Sequence, residues 1–399
     1  MTVRATKRGA ARTSMDGRDA DVLICGASFA GLAAARELAG SGARVLVLDR
    51  YEVGERATSA CALVTPWASV MGVEASLRQE LPYMRFTTPH GSARVRLPWS
   101  WSSFDYRELC RLLFAQCDGV EFETAKVHGR GDVAGSGIEG VADGETMVSV
   151  ETDRGTISAP LILDALGWRR MLDTPHVQPP DALISRGLEV HPRWDGSGDE
   201  LHCWVERSLI RRGYGWSVPA GSEVRVGVGS YEPRDHVKEP TVALASREGL
   251  DVERFQGNWF PHALRPAVSD DGMVLFAGDS AGHCFPLSGE GIRTAFYFGI
   301  AAGRELRAVV EGRSSRAEAF ARYGAFSASH AGAYRRALRL QRLVPDIPPR
   351  LLAAALRVVQ LQPVADRAFG WYLDQAHPGT FAPPPRRGGG VVAAPAVAA

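Results

Sequence analysis

The residues best able to do chemistry in this chain lie in two glycine-rich loops far apart in sequence. The first, "GASFAG" (Gly26–Gly31), follows the apolar run Val22–Leu23–Ile24 and opens a small-residue stretch to Leu38. Gly26 permits a tight turn, Ser28 stands where a GxGxxG pattern has its middle glycine, and Gly31 lets a helix pack on a strand. The backbone N–H groups of Ser28, Phe29 and Ala30 would then converge on an anion such as a pyrophosphate. "RVLVLD" ends at Asp49, followed by Arg50. A carboxylate at that distance accepts hydrogen bonds from an adenosine ribose and repels a 2′-phosphate. The bland alternative is a plain strand–turn–helix with a solvated acid.

The second loop, "GDSAGHCFPLSGEGIRTAF" (Gly278–Phe296), sets Gly278 and Asp279 after the buried-strand pattern "MVLFA". It sets Gly289 and Gly291 before an amphipathic run that starts at Ile292. An acid at the C-terminal end of a strand can bind the ribityl hydroxyls of a flavin. A helix behind it aims its positive end at the pyrimidine ring, where negative charge collects on reduction. The glycines keep side chains off the ring edge. A simple linker needs neither the preceding strand nor the following helix.

The elements that must carry these loops are legible around them. "DVLICGASFAGLAAARELAGSGARVLVLDR" reads as a βαβ unit, its helix ended by Gly40 and Gly42. "DYRELCRLLFAQC" reads as a helix with Leu109, Leu112 and Leu113 on one face, and "TISAPLILDALG" as one strand stopping at Asp164 and Gly167. Over residues 183–230 the pattern changes to period two in "ELHCWVERS", "GYGWSVPA" and "EVRVGVGSY", which predicts an antiparallel sheet with one face covered. From Ile292 a helical stripe carries Ala295, Phe296, Gly299, Ala302, Leu306 and Val309, with Gly299 and Gly303 allowing close packing. The chain to about Asp374 reads as helical, and "PPPRRGGGVVAAPAVAA" as a low-complexity tail.

Composition narrows the classes further. At 399 residues and 45% hydrophobic, the chain can build a large core. A net charge of +1 gives no global pull toward nucleic acid. The six cysteines form no CxxC pair and no metal-ligand spacing, so a reducing compartment and no metal site are expected. The basic N-terminus has no apolar core of a secretory signal, and no apolar run has transmembrane length. A cytoplasmic protein is expected, with peripheral membrane contact compatible.

Taken together, the two loops resemble those of the FAD-dependent p-hydroxybenzoate hydroxylase-like superfamily. Within it, the second loop is similar to the geranylgeranyl reductase pattern GD-A-G-x-x-x-P-x-x-GEGI, and "GYGWSVP" (Gly213–Pro219) to that family's YGW-x-x-P signature. "GERATSACAL" (Gly54–Leu63) matches the family's early cysteine region, with Ala62 and Leu63 where glycines often follow. The resemblance spans residues 21–310. It implies an α/β fold: a Rossmann-like FAD-binding domain of the glutathione reductase type (21–85, 104–170 and 268–312) with an inserted antiparallel β-sheet substrate domain (86–103 and 171–267). A C-terminal helical region (313–380) follows, between disordered tails at 1–20 and 381–399. The resemblance implies FAD, with NAD(P)H or a ferredoxin as transient electron donor. It adds Arg56, Arg107 and Val127 to the cofactor-contacting set of Gly26, Ser28, Phe29, Ala30, Gly31, Asp49, Arg50, Gly278, Asp279, Gly289, Gly291 and Ile292.

The activity implied is reduction of C=C bonds in an isoprenoid or related apolar substrate by hydride from reduced flavin. Cys61 would hold the substrate or supply the proton, and Tyr214 and Trp216 would line the pocket. Against this, most isolated cysteines are small core residues, and alternating aromatics equally make a core face. A flavin monooxygenase acting on a natural product uses the same scaffold. A flavin halogenase fits less well, because no lysine occurs between Lys7 and Lys126 and a WxWxIP signature is missing. A non-catalytic flavin-binding redox sensor has no use for a substrate sheet. The expected partner is a small apolar molecule, prenyl lipids included.

Overall fold

The computed structural model describes residues 13–57, 59–134, 146–173, 184–195, 198–252 and 254–381. The expected tails over 1–12 and 382–399, and the stretch 174–183 of the expected substrate domain, lie outside the described residues. In chain order the elements are β1 (Arg18–Asp19), β2 (Val22–Cys25), α1 (Phe29–Leu38), β3 (Val45–Asp49), β4 (Ala62–Val64), α2 (Pro66–Met71), β5 (Leu77–Thr88), β6 (Gly91–Phe104), α3 (Tyr106–Phe114), β7 (Val120–Thr124), β8 (Val127–Ala134), β9 (Met147–Thr152), β10 (Gly155–Ala159) and β11 (Leu161–Asp164). They continue as β12 (Ile184–Val190), β13 (Glu200–Trp204), β14 (Gly213–Pro219), β15 (Val224–Ser230), α4 (Lys238–Arg247), β16 (Phe255–Pro261), β17 (Val274–Phe276), α5 (Ile292–Val310), α6 (Arg316–Ser329), α7 (Ala331–Leu343), α8 (Pro349–Val359) and α9 (Gln362–Asp374).

The short apolar runs VLIC, VLVLD, LILD and VLF form a parallel sheet in the order β17-β11-β2-β3-β7. Strands buried on both faces read as continuous apolar runs, as these do. Their parallel direction brings Gly26, Asp49, Asp164 and Gly278 to the same edge of the sheet, at or just past the C-terminal ends of four strands. α1 and α5 pack backbone to backbone: a Cβ on Gly299 would lie 2.5 Å from the carbonyl oxygen of Ala30, and one on Gly303 2.6 Å from that of Ala34. This contact fixes the first glycine loop against the second.

The other large layer is an eight-stranded sheet in the order β16-β12-β15-β14-β13-β5-β6-β4. Val190, Val224, Val226 and Val228 point to one face and pack with Leu244 and Ala245 of α4. The opposite face carries Glu189, Trp216 and Gln256, discussed below. The period-two reading of 183–230 holds, but the sheet is mixed: β13 runs parallel to β5, inserted between it and antiparallel β14. The hairpin β5–β6 joins this sheet from Leu77.

Two further differences have local causes. "TISAPLILD" is two strands in two sheets, because Pro160 lacks the N–H a ladder needs and the chain turns there. Residues 13–20, expected in the tail, are ordered: Met15 is buried and β1 pairs in parallel with β10 in a small sheet β1-β10-β9-β8. At the other end α8 and α9 lie on β6. None of the described helices is long and apolar enough to cross a membrane.

Candidate functional site

The first loop turns at Gly26, whose φ of +114° and position 2.3 Å (as a Cβ) from the Ala165 oxygen admit only glycine. Gly31 likewise faces the Gly26 carbonyl at 1.8 Å. Phe29 leaves the loop to meet Phe104, Tyr106 and Phe296 edge-on, and the Ser28 hydroxyl lies 3.1 Å from that of Tyr106. Asp49 accepts N–H bonds from Ala27 and Tyr51, both at 2.9 Å, so it braces the turn while other lone pairs remain. Burial raises its carboxyl above the ordinary value, against those two donors. The guanidinium groups of Arg50 and Arg56 both lie over the Tyr51 ring, at 4.8 and 5.3 Å. Val127 is buried two residues past Ala125, whose N–H donates to the Asp49 carbonyl at 2.7 Å. The Arg107 side chain is exposed, while its backbone touches the position a Gly54 Cβ would take.

The second loop is latched from three sides. Asp164 accepts from the Ser280 hydroxyl at 2.7 Å and from the N–H groups of Leu166 and Leu172, both at 2.9 Å. Its oxygens are thus occupied in joining strand end to loop. His283 is fully buried, accepts from the Gly278 N–H at Nδ1 (3.1 Å), and reaches Ser327 Oγ at 3.0 Å through Nε2. Burial, with a lesser push from His330, holds it neutral. Glu290 pairs with buried Arg293 at 2.8 Å and caps the start of α5 through the Arg293 N–H, also at 2.8 Å. Arg293 and Tyr372 then tie α9 to this loop, since the Tyr372 hydroxyl donates to Glu290 Oε2 at 3.2 Å.

Asp279 stands apart from this bracing. Its carboxyl is pushed up to about 7, with burial the sole cause and no donor opposing it. It lies beside the start of α5: a Cβ on Gly291 would be 3.7 Å from its Oδ1 and would meet nothing nearer than 3.6 Å. A carboxylate without a donor, at a helix N-terminus left open by glycine, suits a ligand bearing hydroxyl groups. Gly278 and Ala30 are 3.1 Å apart, measured to a Cβ on Gly278. The two loops therefore meet, and the residues present fit an FAD.

The face of the large sheet opposite α4 carries a second cluster of polar and aromatic side chains. Gln256, Glu189, Gly227, Trp216 and Cys203 are successive cross-strand partners on five adjacent strands. In-register partners share a face. The Trp216 indole lies across Gly227, where a Cβ would be 2.4 Å from its ring, and donates to Glu189 Oε2 at 3.1 Å. Glu189, 2% exposed, also accepts from Gln256 at 2.7 Å, with His191 Nε2 3.0 Å away. Gln256 reaches on to the Ser59 carbonyl at 3.3 Å, the same oxygen that accepts from Cys61 Sγ at 3.0 Å. Cys61 is thereby joined to Trp216 through Ser59, Gln256 and Glu189. Tyr214, two residues before Trp216, donates its hydroxyl to the Ser288 carbonyl of the second loop.

Cys61 is buried and adopts φ +51°, one of three described non-glycine residues with positive φ. Such a conformation is costly for a side-chain residue. Buried Arg225 helps to hold it, donating to the carbonyls of Ala60 and Cys61 at 2.9 Å and of Phe104 at 3.0 Å. Burial raises the thiol well above its ordinary value, so it keeps its proton at neutral pH. Sequence reasoning missed Glu189, Arg225 and Gln256. Their signal was present as charged or amide residues at the same alternating positions as Gly227 and Trp216.

An α/β flavoprotein fold of parallel sheet, large mixed sheet and C-terminal helices is thus defined, with one site where two glycine loops meet. No family profile matches the chain. In sequence it is 38% identical over 94 residues to geranylgeranyl diphosphate reductase of Rhodobacter capsulatus, a match spanning 23% of each chain. It is 24% identical over 349 residues to digeranylgeranylglycerophospholipid reductase 3 of Methanosphaera stadtmanae, covering 80% of this chain and 85% of that protein. It is also 26% identical over 361 residues to a 12-dehydrotetracycline 5-monooxygenase/anhydrotetracycline 6-monooxygenase of Streptomyces rimosus, covering 83% of this chain and 71% of that protein. A geranylgeranyl bacteriochlorophyll reductase-like protein of Thermoplasma acidophilum shares the fold with a TM-score of 0.74 at 16% identity, over 90% of this chain and 97% of that one. The anhydrotetracycline hydroxylase OxyS of Streptomyces rimosus does so at 0.62 and 20% identity, over 88% and 75%. In sequence and fold alike, the chain resembles FAD-dependent oxidoreductases of the geranylgeranyl reductase type.

Proposed function

We propose that this protein is an FAD-dependent oxidoreductase that reduces C=C bonds of an isoprenoid or related apolar substrate. The observation that carries the reading is the meeting of the two loops, with Asp279 left without a donor beside the start of α5. Residues 21–76, 104–170 and 268–312 form the cofactor half in this reading, and 77–103 with 171–267 the substrate half. The expected boundary at 85 falls inside β5, which lies whole in the large sheet with β6, so it moves back to Leu77. Bound and reduced, FAD would supply a hydride to one carbon of the double bond. Asp49 and Asp279 would fix the cofactor by accepting ribose and ribityl hydroxyls, and the N–H groups at the start of α1 would hold its pyrophosphate. Trp216 and Tyr214 would offer an aromatic wall. The Cys61 Sγ–H would supply the proton to the second carbon, or position the alkene for a proton from water. NAD(P)H or a ferredoxin would deliver the electrons.

Oxygen chemistry on the same scaffold is the second reading, favoured by the likeness to the tetracycline-pathway monooxygenase. One experiment separates the two. Protein reduced anaerobically is offered polyprenyl lipids and polycyclic alkenes, and the products are weighed by mass spectrometry. Flavin reoxidation without O2, with a gain of two hydrogens per bond, supports the reductase. Reoxidation only in air, with a gain of one oxygen atom, supports the monooxygenase.

A further inference from the structure

Among the described residues six large hydrophobics are exposed, and five of them, Leu340, Leu343, Leu351, Val358 and Leu361, fall within α7, α8 and the turn after α8. α8 is apolar on both sides. Leu352, Ala353, Leu356 and Val359 are buried or half-buried, while Leu351, Ala354, Ala355 and Val358 recur at helical spacing on the exposed face. A helix that buries its inner face and still carries an outer apolar stripe, here beside Arg350 and Arg357, offers that stripe as an interaction surface.

Charge indicates what covers this one. Residues 331–361 hold six arginines (Arg335, Arg336, Arg339, Arg342, Arg350 and Arg357) against one acid, Asp346, in a chain whose net charge is only +1. Arg335, Arg336, Arg339, Arg342 and Arg350 make no ion pair among the described residues. A second copy of the chain is a poor occupant. A twofold interface would set the same arginine-rich patch against itself with a single acid to offset it, and five large apolar side chains fall short of the roughly 20–30 residues a side of a stable interface. Apolar side chains flanked by arginine are the composition of a helix lying in the interface of an anionic bilayer.

We propose that the exposed face of α8, flanked by Arg350 and Arg357, docks this protein on an anionic lipid surface. Leu351 and Val358 enter the acyl boundary, and Arg350 and Arg357, each next to one of them on α8, meet lipid phosphates. The proposal does not rest on the redox reading, since vesicle binding is measured without turnover. The test is co-flotation of the full chain with phosphatidylcholine vesicles, with and without phosphatidylglycerol. Expected is binding to the phosphatidylglycerol vesicles that weakens as salt rises. It should fall by about tenfold or more in Leu351→Asp/Val358→Asp and in Arg350→Glu/Arg357→Glu. All four positions are exposed, and circular dichroism should report both variants folded. The proposal is overturned if the parent chain ignores phosphatidylglycerol vesicles or if both variants bind as the parent does. It is also overturned if the parent is a dimer that Leu351→Asp/Val358→Asp converts to monomer, for then a second copy covers the face.

Discussion

Asp279 carries opposite consequences for the empty and the loaded protein. Its carboxyl is raised from 3.8 to about 7 by burial, so the folded chain favours the protonated form. The linked stability is fully present below 3.8 and is lost as pH rises through about 7. Asp279→Asn removes that loss. At pH 8 the cofactor-free variant should melt higher than the parent, by roughly 2 °C or more, yet bind FAD about tenfold more weakly or worse. Scanning calorimetry and flavin titration read the two effects. A variant that loses stability without FAD would show that Asp279 has a protein partner instead. Cys61 poses a different question. Its positive φ and clamped carbonyl suggest a side chain held where glycine would be easier. Cys61→Ser should keep FAD but slow substrate-dependent flavin reoxidation by roughly 10²-fold. Cys61→Gly should be as slow while no less stable. Parent rates in both would make Cys61 a packing residue, with Tyr214 the next proton source to test.

At the level of elements, the meeting of the two glycine loops depends on α1 and α5 touching. Gly299→Val would force a branched side chain into the Ala30 carbonyl, 2.5 Å from the Cβ position. We expect a loss of about 1–3 kcal/mol or more, together with a colourless protein, because separating the helices separates the loops. Gly370→Ala in α9, where a Cβ meets nothing within 4 Å, should be neutral to stabilising. Chemical unfolding and flavin content check both, and a stable, yellow Gly299→Val variant would deny that this contact positions the site. Close backbone packing at Gly299 and Gly303 was legible in sequence, from glycines spaced four apart on an apolar stripe, but α1 as the neighbour was not. So were the two loops, because glycine, acid and strand recur there in fixed local order. The parallel pairing of β13 with β5 was not legible: a strand's own alternation gives its faces, while its neighbour is chosen by chain far away. The Glu189–Gln256–Trp216 row was hidden for the same reason, as its members come together only when β16, β12, β15 and β14 are set in register. Pro160 was visible, and its meaning as a break between two sheets was overlooked.

The whole molecule should answer to acid. Burial holds His202 and His262 down to about 4, and His283 well below its ordinary value. In the unfolded chain each takes a proton near 6.5. Their depressed folded values give stability that is complete above 6.5 and is lost as pH falls toward about 4. Asp271, held near 2 chiefly by Arg130, loses stability lower still. Melting temperature should therefore decline between pH 6.5 and about 4, with the raised carboxyls of Asp49, Asp164 and Asp279 opposing part of the fall. If His202→Gln/His262→Gln leaves the slope of melting temperature over that interval unchanged, these imidazoles are not the source of the acid loss.

The central claim is that the two loops form one site for a whole flavin adenine dinucleotide, the adenosine at Asp49 and the ribityl chain at Asp279. The most direct measurement is the identity and amount of flavin released when the purified protein is denatured, after reconstitution with an equimolar mixture of FAD and FMN. The account predicts one equivalent of FAD and no FMN. Recovery of FMN alone would contradict the adenosine assignment, and a colourless protein that takes up neither would contradict the site altogether.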